Sequence, residues 1–193
     1  MHRLRLATPA DIPELGRLIE QSVRALSVGY YTGPQIESAL RYVFEPAKWE
    51  EYTQLIADRT YYVIESEEGE LVAAGGWGRR RTLYGGYQMK GADDPLLDPT
   101  TEAARIRAFF VHPAWARRGL GRQLYDRCAE DAAMAGFRKL ELMATLPGEP
   151  LYRALGFAPL ERTGVPLPDG EMLPVVHMAR TLSAPPTPEP GGG

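Results

Sequence analysis

The sequence predicts a mixed α/β fold, because strand-like and helix-like segments alternate along its 193 residues. Runs of apolar, aromatic and β-branched residues predict strands at 4–7, 61–66, 71–78, 104–111, 139–144 and 175–179. Helical spacing of apolar residues predicts helices at 12–23, from about residue 34, at 120–136 and at 149–155. Turn residues at 67–70 indicate that the strands on either side form an antiparallel hairpin.

In the first half of the chain, Thr8 offers a capping hydroxyl and Pro9 a suitable first residue for a helix. Apolar residues then recur at helical spacing, at Ile12, Leu15, Leu18, Ile19 and Val23. An aromatic and glycine-rich segment, 28–34, interrupts this pattern, so a second helix is expected to begin near Pro34 or Gln35. The hairpin follows.

The second half begins with residues 82–101, where glycine, proline and aspartate predict a long surface loop. The strand at 104–111 is closed by His112 and Pro113, and the helix after it is expected to end at Gly136. A further strand and a short helix ending at Gly156 precede the final strand. We expect residues 1–182 to form a single domain and the Pro/Gly-rich tail, 183–193, to be disordered.

Composition excludes several classes of protein. With 44% hydrophobic and 24% charged residues the chain is expected to be globular, and no apolar run is long enough to span a membrane. A net charge of -3 gives no overall attraction to nucleic acid or anionic lipid. The single Cys128 and the absence of a signal-like N-terminus predict a cytoplasmic protein, and three scattered histidines predict no metal site.

The most informative segment is the arginine and glycine-rich turn at 117–122, between a predicted strand and a predicted helix. A turn of this kind leaves backbone N–H groups at the helix start, where the helix dipole also favours an anion. Gly119 and Gly121 are expected to let a pyrophosphate approach the backbone, while Arg117, Arg118 and Arg122 add charged donors. The alternative is a tight turn with a solvated basic surface.

The context of this turn distinguishes the two interpretations. The segment Ala108-Phe109-Phe110-Val111-His112-Pro113-Ala114-Trp115-Ala116-Arg117-Arg118-Gly119-Leu120-Gly121-Arg122 resembles the central coenzyme A motif of the GNAT N-acetyltransferase superfamily. The order of elements over residues 4–182 is also similar to that family. The resemblance implies a GNAT-like α/β (α+β) fold, with a mixed, mostly antiparallel central sheet flanked by helices and a strand-turn-helix coenzyme A site. Walker and dinucleotide-binding patterns do not fit this spacing.

The resemblance also implies how acetyl-coenzyme A is bound as co-substrate. The pyrophosphate would lie on the backbone amides of the turn, at Arg117, Arg118, Gly119, Leu120, Gly121 and Arg122. The pantetheine arm would run beside Phe109, Phe110 and Val111. Thr145 stands where many relatives carry an asparagine that contacts the cofactor, so we expect no equivalent contact there.

Three groups are candidates for the chemistry of acyl transfer. By the resemblance, the backbone N–H of Val111 or its neighbour would hold the acyl carbonyl, and Tyr152 would protonate the departing thiolate. Glu102, just before the motif strand, is the candidate general base, and Glu141 is a weaker one. The alternatives are a packing role for Tyr152 and simple solvation for Glu102. His112 is expected to be structural.

The acceptor is the least determined part of the site. Aromatic residues that border the acceptor site in the family are candidates for its pocket, although core packing is the alternative for each: Tyr30, Tyr31, Trp77 and Tyr84. The run at 79–81 is either an anion-binding group or a solvated strand end. We therefore expect transfer to a primary amine of a small molecule or a protein. The alternatives are a coenzyme A-binding sensor or interaction module without turnover and, against the acidic charge, a nucleic-acid-binding domain. The sequence leaves a homodimer open.

Overall fold

The structure is a computed structural model that describes residues 2–43, 49–81 and 94–182. These residues contain the helices α1 (Ile12–Leu26), α2 (Gly33–Tyr42), α3 (Trp49–Ala57), α4 (Leu120–Met134) and α5 (Glu149–Ala154). They also contain the strands β1 (Arg3–Leu6), β2 (Tyr61–Glu65), β3 (Leu71–Gly78), β4 (Ala104–Val111), β5 (Lys139–Thr145), β6 (Ala158–Pro166) and β7 (Met172–Thr181). The strands of this described part form a single sheet of order β1-β2-β3-β4-β5-β7-β6.

The predicted α/β class is confirmed. Of the strand pairs in the described part of the sheet, β4–β5 is parallel and the others are antiparallel, including the predicted β2–β3 hairpin. The sequence interpretation missed α3 and β6. Most of β6 is exposed and it contains two prolines and a glycine, so it lacks the alternation of apolar residues by which strands are recognised.

Local sequence signals set the helix ends. Thr8 and Asp11 form a reciprocal capping box before α1, and Thr32 and Gln35 form another at the start of α2. Gly136 takes a left-handed conformation after α4, as its position at the end of the apolar pattern predicted.

The sheet is buried on both faces. Along β2, Tyr62 and Ile64 pack into a core with α4, whereas Tyr61 and Val63 face a second core formed with α1, α2 and α3. Because successive side chains of a strand point to opposite faces, α4 and the first three helices cover opposite sides of the sheet. The helix α4 therefore lies on one side of β4, and α1, α2 and α3 lie on the other.

A β-bulge interrupts the pairing of β3 with β4. Ala74 pairs with Phe110 and Gly76 pairs with Arg107, so the single residue Gly75 faces two residues of β4. One of them, Ala108, has a φ of 53°, and its carbonyl oxygen accepts a hydrogen bond of 2.9 Å from the Tyr61 hydroxyl. The bond holds a conformation that residues other than glycine seldom adopt.

Residues 82–93 and 183–193 lie outside the described part of the chain, and with them most of the predicted surface loop and the predicted tail. None of the described helices is both long and apolar enough to cross a bilayer.

The bulge generates a stability prediction. A Cβ at position 75 would lie 2.4 Å from Cδ1 of Phe109, so Gly75→Ala must displace that ring. We expect it to lower the free energy of unfolding by about 1–3 kcal/mol in denaturant titrations. The control is Gly78→Ala at the end of β3, where a Cβ would lie 3.7 Å from Cγ of Arg107, an ordinary contact, and it should retain wild-type stability or exceed it. Equal stability of the two variants would contradict the tight contact.

Candidate active site

The site is built around a gap between two neighbouring strands. β4 and β5 pair only at Ala104 with Leu140 and at Arg105 with Glu141, and beyond these residues they separate. On the other side of β4, His112 N–H donates to the carbonyl of Val72, so this pair of the antiparallel ladder is hydrogen-bonded. Because such pairs alternate, the N–H of Val111 points away from β3 and towards the gap.

A buried serine on α1 forms a hydrogen bond with this N–H. The Oγ atom of Ser22 accepts a hydrogen bond of 3.3 Å from Val111. Ser22 was not a candidate in the sequence analysis. The available signal was its helical spacing from Leu15, Leu18 and Ile19, which puts a polar residue on the apolar face of α1.

A cavity of about 480 Å³ passes through the gap. Its wall includes Tyr152 and Leu151 from the layer of α4 and α5, and Ser22 and Ile36 from the layer of α1 and α2. Four of the predicted cofactor residues belong to its lining: Phe109, Phe110, Val111 and Gly121. The cavity therefore joins the two faces of the sheet, and molecules can approach its centre from opposite sides.

Tyr152 lies in this wall on the short helix α5. Its ring packs against those of Phe109 and Phe157, at centroid distances of 6.2 and 5.7 Å. Burial, with a smaller contribution from Cys128, raises the pKa of the Tyr152 hydroxyl above its usual range, and no described residue hydrogen-bonds it. The hydroxyl consequently stays protonated at neutral pH and is free to donate into the cavity.

The turn before α4 has the geometry of an anion site. Arg117 and Gly119 both have positive φ, 64° and 83°, and Gly119 is the left-handed N-cap of the helix. In a turn of this kind successive N–H groups face one concavity. The first N–H groups of α4, those of Leu120, Gly121 and Arg122, donate to no group in the described part of the chain. Three donors at a helix N-terminus are thus unsatisfied.

Each glycine of the turn also has a structural role within the protein, and the predicted approach of a pyrophosphate stays a prediction. A Cβ on Gly119 would meet no atom within 4 Å, so glycine is favoured there by its positive φ. A Cβ on Gly121 would lie 2.8 Å from Leu151, so this glycine lets α5 pack against α4. Leu120 is a core residue, buried among the side chains beneath α4.

The arginine side chains of the turn lie at the surface, away from carboxylates. Arg118 stacks on Trp115 at 4.9 Å, and Arg122 Nη2 lies 3.4 Å from the carbonyl oxygen of Ala154. Among the described residues, neither they nor Arg117 form a salt bridge. The positive charge of these side chains therefore adds to the partial positive charge of the free N–H groups.

Glu102 is not brought to the gap. It lies before the first residue of β4, whereas Val111 is the last, and eight strand residues span roughly 23 Å. Its carboxylate accepts from the Asp98 N–H at 2.8 Å and pairs with Arg81 at 3.5 Å. The role of Glu102 as a base stays a prediction that this geometry does not favour.

The remaining candidates divide between core, surface and cavity. Trp77 is buried in the core beneath α4 against Phe137, and Tyr30 is 48% exposed. Tyr84 lies outside the described residues. Arg80, in the run at 79–81, pairs with Asp58 at 3.0 Å, near the end of the sheet away from the gap. The structure therefore supports neither an anion site in this run nor a pocket role for Trp77.

Tyr31 does line the cavity. Its hydroxyl donates to the carbonyl of Pro174 at 2.7 Å and accepts from the N–H of Leu146 at 2.8 Å. It thereby ties the α1–α2 connection to the ends of β5 and β7. Burial raises its pKa to about 12.

Two smaller expectations can be compared with the structure. The Nδ1 atom of His112 accepts from the N–H of Ala114 at 3.2 Å, which is the structural role expected of it. No group of three or more potential ligands for a metal ion occurs among the described residues.

Comparison with known proteins agrees with this architecture. The family model described as "Acetyltransferase (GNAT) family" matches residues 21–157. The PaiA N-acetyltransferase of Thermoplasma acidophilum in complex with coenzyme A is similar with a TM-score of 0.68 at 15% identity, covering 94% of this chain and 99% of that one. The GCN5-related N-acetyltransferase of Rhodopseudomonas palustris has a TM-score of 0.66 at 20% identity, and the match covers 93% of this chain and 95% of that one. The structure of yncA from Salmonella typhimurium with its cofactor acetyl-CoA has a TM-score of 0.60 at 19% identity, and the match covers 98% of this chain and 98% of that one.

The hydrogen bonds of Tyr31 generate a pH prediction. Tyr31→Phe leaves two polar backbone groups without this partner, so we expect the free energy of unfolding at pH 7 to fall by about 1–3 kcal/mol. The folded protein keeps the hydroxyl proton up to about pH 12, whereas the unfolded chain loses it at about pH 10. Stability contributed by Tyr31 is therefore lost as pH rises through this window, and the difference between variant and wild type should narrow.

Denaturant titrations from pH 8 to pH 11 measure this difference. Tyr30→Phe changes an exposed neighbouring ring and should follow the wild type at every pH. A gap between Tyr31→Phe and wild type that widens above pH 10 would contradict the assignment.

Proposed function

Because the chain belongs to the acetyltransferase (GNAT) family, we propose that it moves an acetyl group from acetyl-coenzyme A to a primary amine by direct transfer in a ternary complex. The observation that carries the proposal is the cavity through the β4–β5 gap, which has the Val111 backbone and the Tyr152 side chain in its lining. The family and the fold support acetyl transfer from coenzyme A in general. The direct transfer and the amine acceptor are our proposal.

Acetyl-coenzyme A would bind to two groups of predicted cofactor residues on the α4 side: the turn before α4 and the end of β4. The free N–H groups of Leu120, Gly121 and Arg122 fit the pyrophosphate, with the unpaired arginines of the turn around it. The pantetheine arm would run along Phe109 and Val111 into the gap. The thioester would then lie beside the Val111 N–H.

The reaction at that point forms one bond and breaks one. The amine nitrogen attacks the thioester carbon, and the oxygen that becomes negative is stabilised by the Val111 N–H, in competition with Ser22 Oγ. The carbon–sulfur bond then breaks, and the Tyr152 hydroxyl gives its proton to the leaving thiolate. The proton that the nitrogen loses goes to water, from which Tyr152 is reprotonated, so the products are the amide and free coenzyme A.

This scheme uses no side-chain base. Among the described residues that line the cavity, none carries a carboxylate or an imidazole. An amine that arrives uncharged needs no prior deprotonation, and the N-protonated amide that remains when the carbon–sulfur bond breaks is a strong acid. Water at the cavity mouth is then a sufficient proton acceptor.

Two measurements on the purified protein test the proposal. Titration calorimetry with acetyl-coenzyme A measures binding, and thiol release over a panel of amines measures turnover. Heat together with amine-dependent thiol release supports an acetyltransferase. Heat without thiol release from any amine would instead identify a coenzyme A-binding module without turnover, and the absence of both would overturn the proposal.

Tyr152→Phe tests the assigned acid. We expect kcat to fall by about 100-fold or more, the usual contribution of a positioned acid, with little change in the Kd for acetyl-coenzyme A. The matched control is Tyr125→Phe, which changes another buried tyrosine, on α4, that packs on Phe157 and does not line the cavity. If Tyr152→Phe retains wild-type kcat across the pH range, Tyr152 is only a packing residue.

Gly119→Val and Arg118→Ala test how the turn binds the cofactor. Valine cannot take the left-handed conformation of Gly119 without strain, so we expect the turn to distort and the Kd for coenzyme A to rise more than it does in Arg118→Ala. Calorimetry measures both values. A larger loss in Arg118→Ala would show that side-chain charge, rather than backbone N–H groups, dominates binding.

A further inference from the structure

The half of the cavity that lies on the α1 and α2 side of the sheet is apolar. Its wall is formed by the end of α1, by α2, by β5 and by the β6–β7 hairpin. Representative side chains are Leu26, Ile36, Val43, Met143, Leu167 and Val175. Any molecule that fills this half exchanges water for hydrocarbon contacts on most sides.

Charged groups are absent from this wall in the described part of the chain. Two acidic residues near it have partners of their own. Glu141, two residues before Met143 on the same face of β5, lies 2.5 Å from Arg105 and 3.4 Å from His177. Asp169, in the β6–β7 turn, accepts from the Ser38 hydroxyl at 2.7 Å.

The polar side chains on this side of the cavity are uncharged hydroxyl groups, those of Ser22, Ser27, Tyr31, Tyr42 and Thr145, and two of them have partners. Tyr31 uses its hydroxyl as donor and acceptor between two strand ends, and Ser22 faces Val111 at the reaction centre. A charge that an acceptor carries into this half would therefore lie there without a charged partner among the described lining residues. Burial of an unpaired charge is strongly unfavourable, so the wall selects against such molecules.

We propose, on the basis of the proposed function, that the acceptor is a monoamine whose amino group is attached to an uncharged aromatic or aliphatic hydrocarbon body. The body fills the apolar half of the cavity, and the amino group reaches the thioester beside Val111. Polyamines, amino acids and other acceptors with a second charge are disfavoured.

An acceptor fits this space better than a long acyl chain does. Pro166 and Pro168 are exposed, Val43 is half-buried, and all three line the cavity at the end formed by α2 and the hairpin. This end reaches the surface on the face opposite the phosphate-binding turn. A second substrate can enter there without passing coenzyme A.

Hexylamine and 1,5-diaminopentane test the proposal as an isosteric pair. They have the same number of heavy atoms, but the terminal methyl group of hexylamine is replaced in 1,5-diaminopentane by another amino group, which is charged in water. We expect kcat/KM with acetyl-coenzyme A to be about 100-fold or more higher for hexylamine. From butylamine to hexylamine it should rise about fourfold per methylene.

The outcomes separate this inference from the proposed function. Thiol release that is as fast with 1,5-diaminopentane as with hexylamine would overturn the inference and leave the acetyltransferase intact. Hexanoyl-coenzyme A used tenfold better than acetyl-coenzyme A would also overturn it, because the acyl chain would then occupy the apolar half. If no amine releases thiol, the proposed function fails as a catalytic assignment. Calorimetry of both amines with the coenzyme A-loaded protein then decides the inference by binding alone.

A variant pair locates the selectivity. Val43→Asp adds a carboxylate at a half-buried position of the wall, and we expect the hexylamine to 1,5-diaminopentane ratio to fall tenfold or more. Leu160→Asp makes the same kind of change at a residue of β6 that is 58% exposed and outside the cavity, and should leave the ratio within twofold of wild type. An unchanged ratio in a folded Val43→Asp protein would overturn the assignment of the wall. The amine series on the wild type decides the proposal if that variant does not fold.

Discussion

The separation of β4 from β5 is the constraint on which the site depends. The two strands share hydrogen-bonded register only at Ala104 and Arg105, and the bulge at Ala108 then redirects the rest of β4. The Tyr61 hydroxyl holds the Ala108 carbonyl, and Gly75 leaves room for the Phe109 ring. Without this local departure from regular pairing, the Val111 N–H would bond to β5, and the sheet would have no passage.

The two faces of the sheet give the ends of that passage different chemistry. On the α4 side, a left-handed turn at Gly119 leaves N–H groups unsatisfied next to arginines that lack carboxylate partners in the described chain. On the α1 and α2 side, the wall is mostly apolar and carries no charged group among the described lining residues. In the function that we propose, an anionic cofactor would be recognised electrostatically and the hydrocarbon body of the acceptor by apolar contacts, and the two would meet at Val111.

Residues of the strand-turn-helix motif could be selected from the sequence because their role is local. A turn, a helix start and the strand before it are contiguous in the chain, so residues 108–122 carry the whole arrangement. Tyr152, which the resemblance put near the coenzyme A sulfur, lines the cavity, and its role as the acid stays a prediction. Ser22 and the apolar wall were missed, since α1, α2 and the β6–β7 hairpin come together from distant parts of the sequence. Glu102 was selected by its distance along the chain from the motif, and the extended strand carries it away from the gap.

The sequence by itself determined the α/β class, most of the helices and strands, and the glycine-containing turn before α4, because periodicity, caps and glycine positions act over a few residues. Only the tertiary structure decided where β4 leaves β5, which side chains border the resulting cavity, and which charges are already paired. These depend on contacts between residues far apart in the chain, such as Ser22 with Val111 and Tyr31 with Pro174. No local sequence pattern predicts either contact.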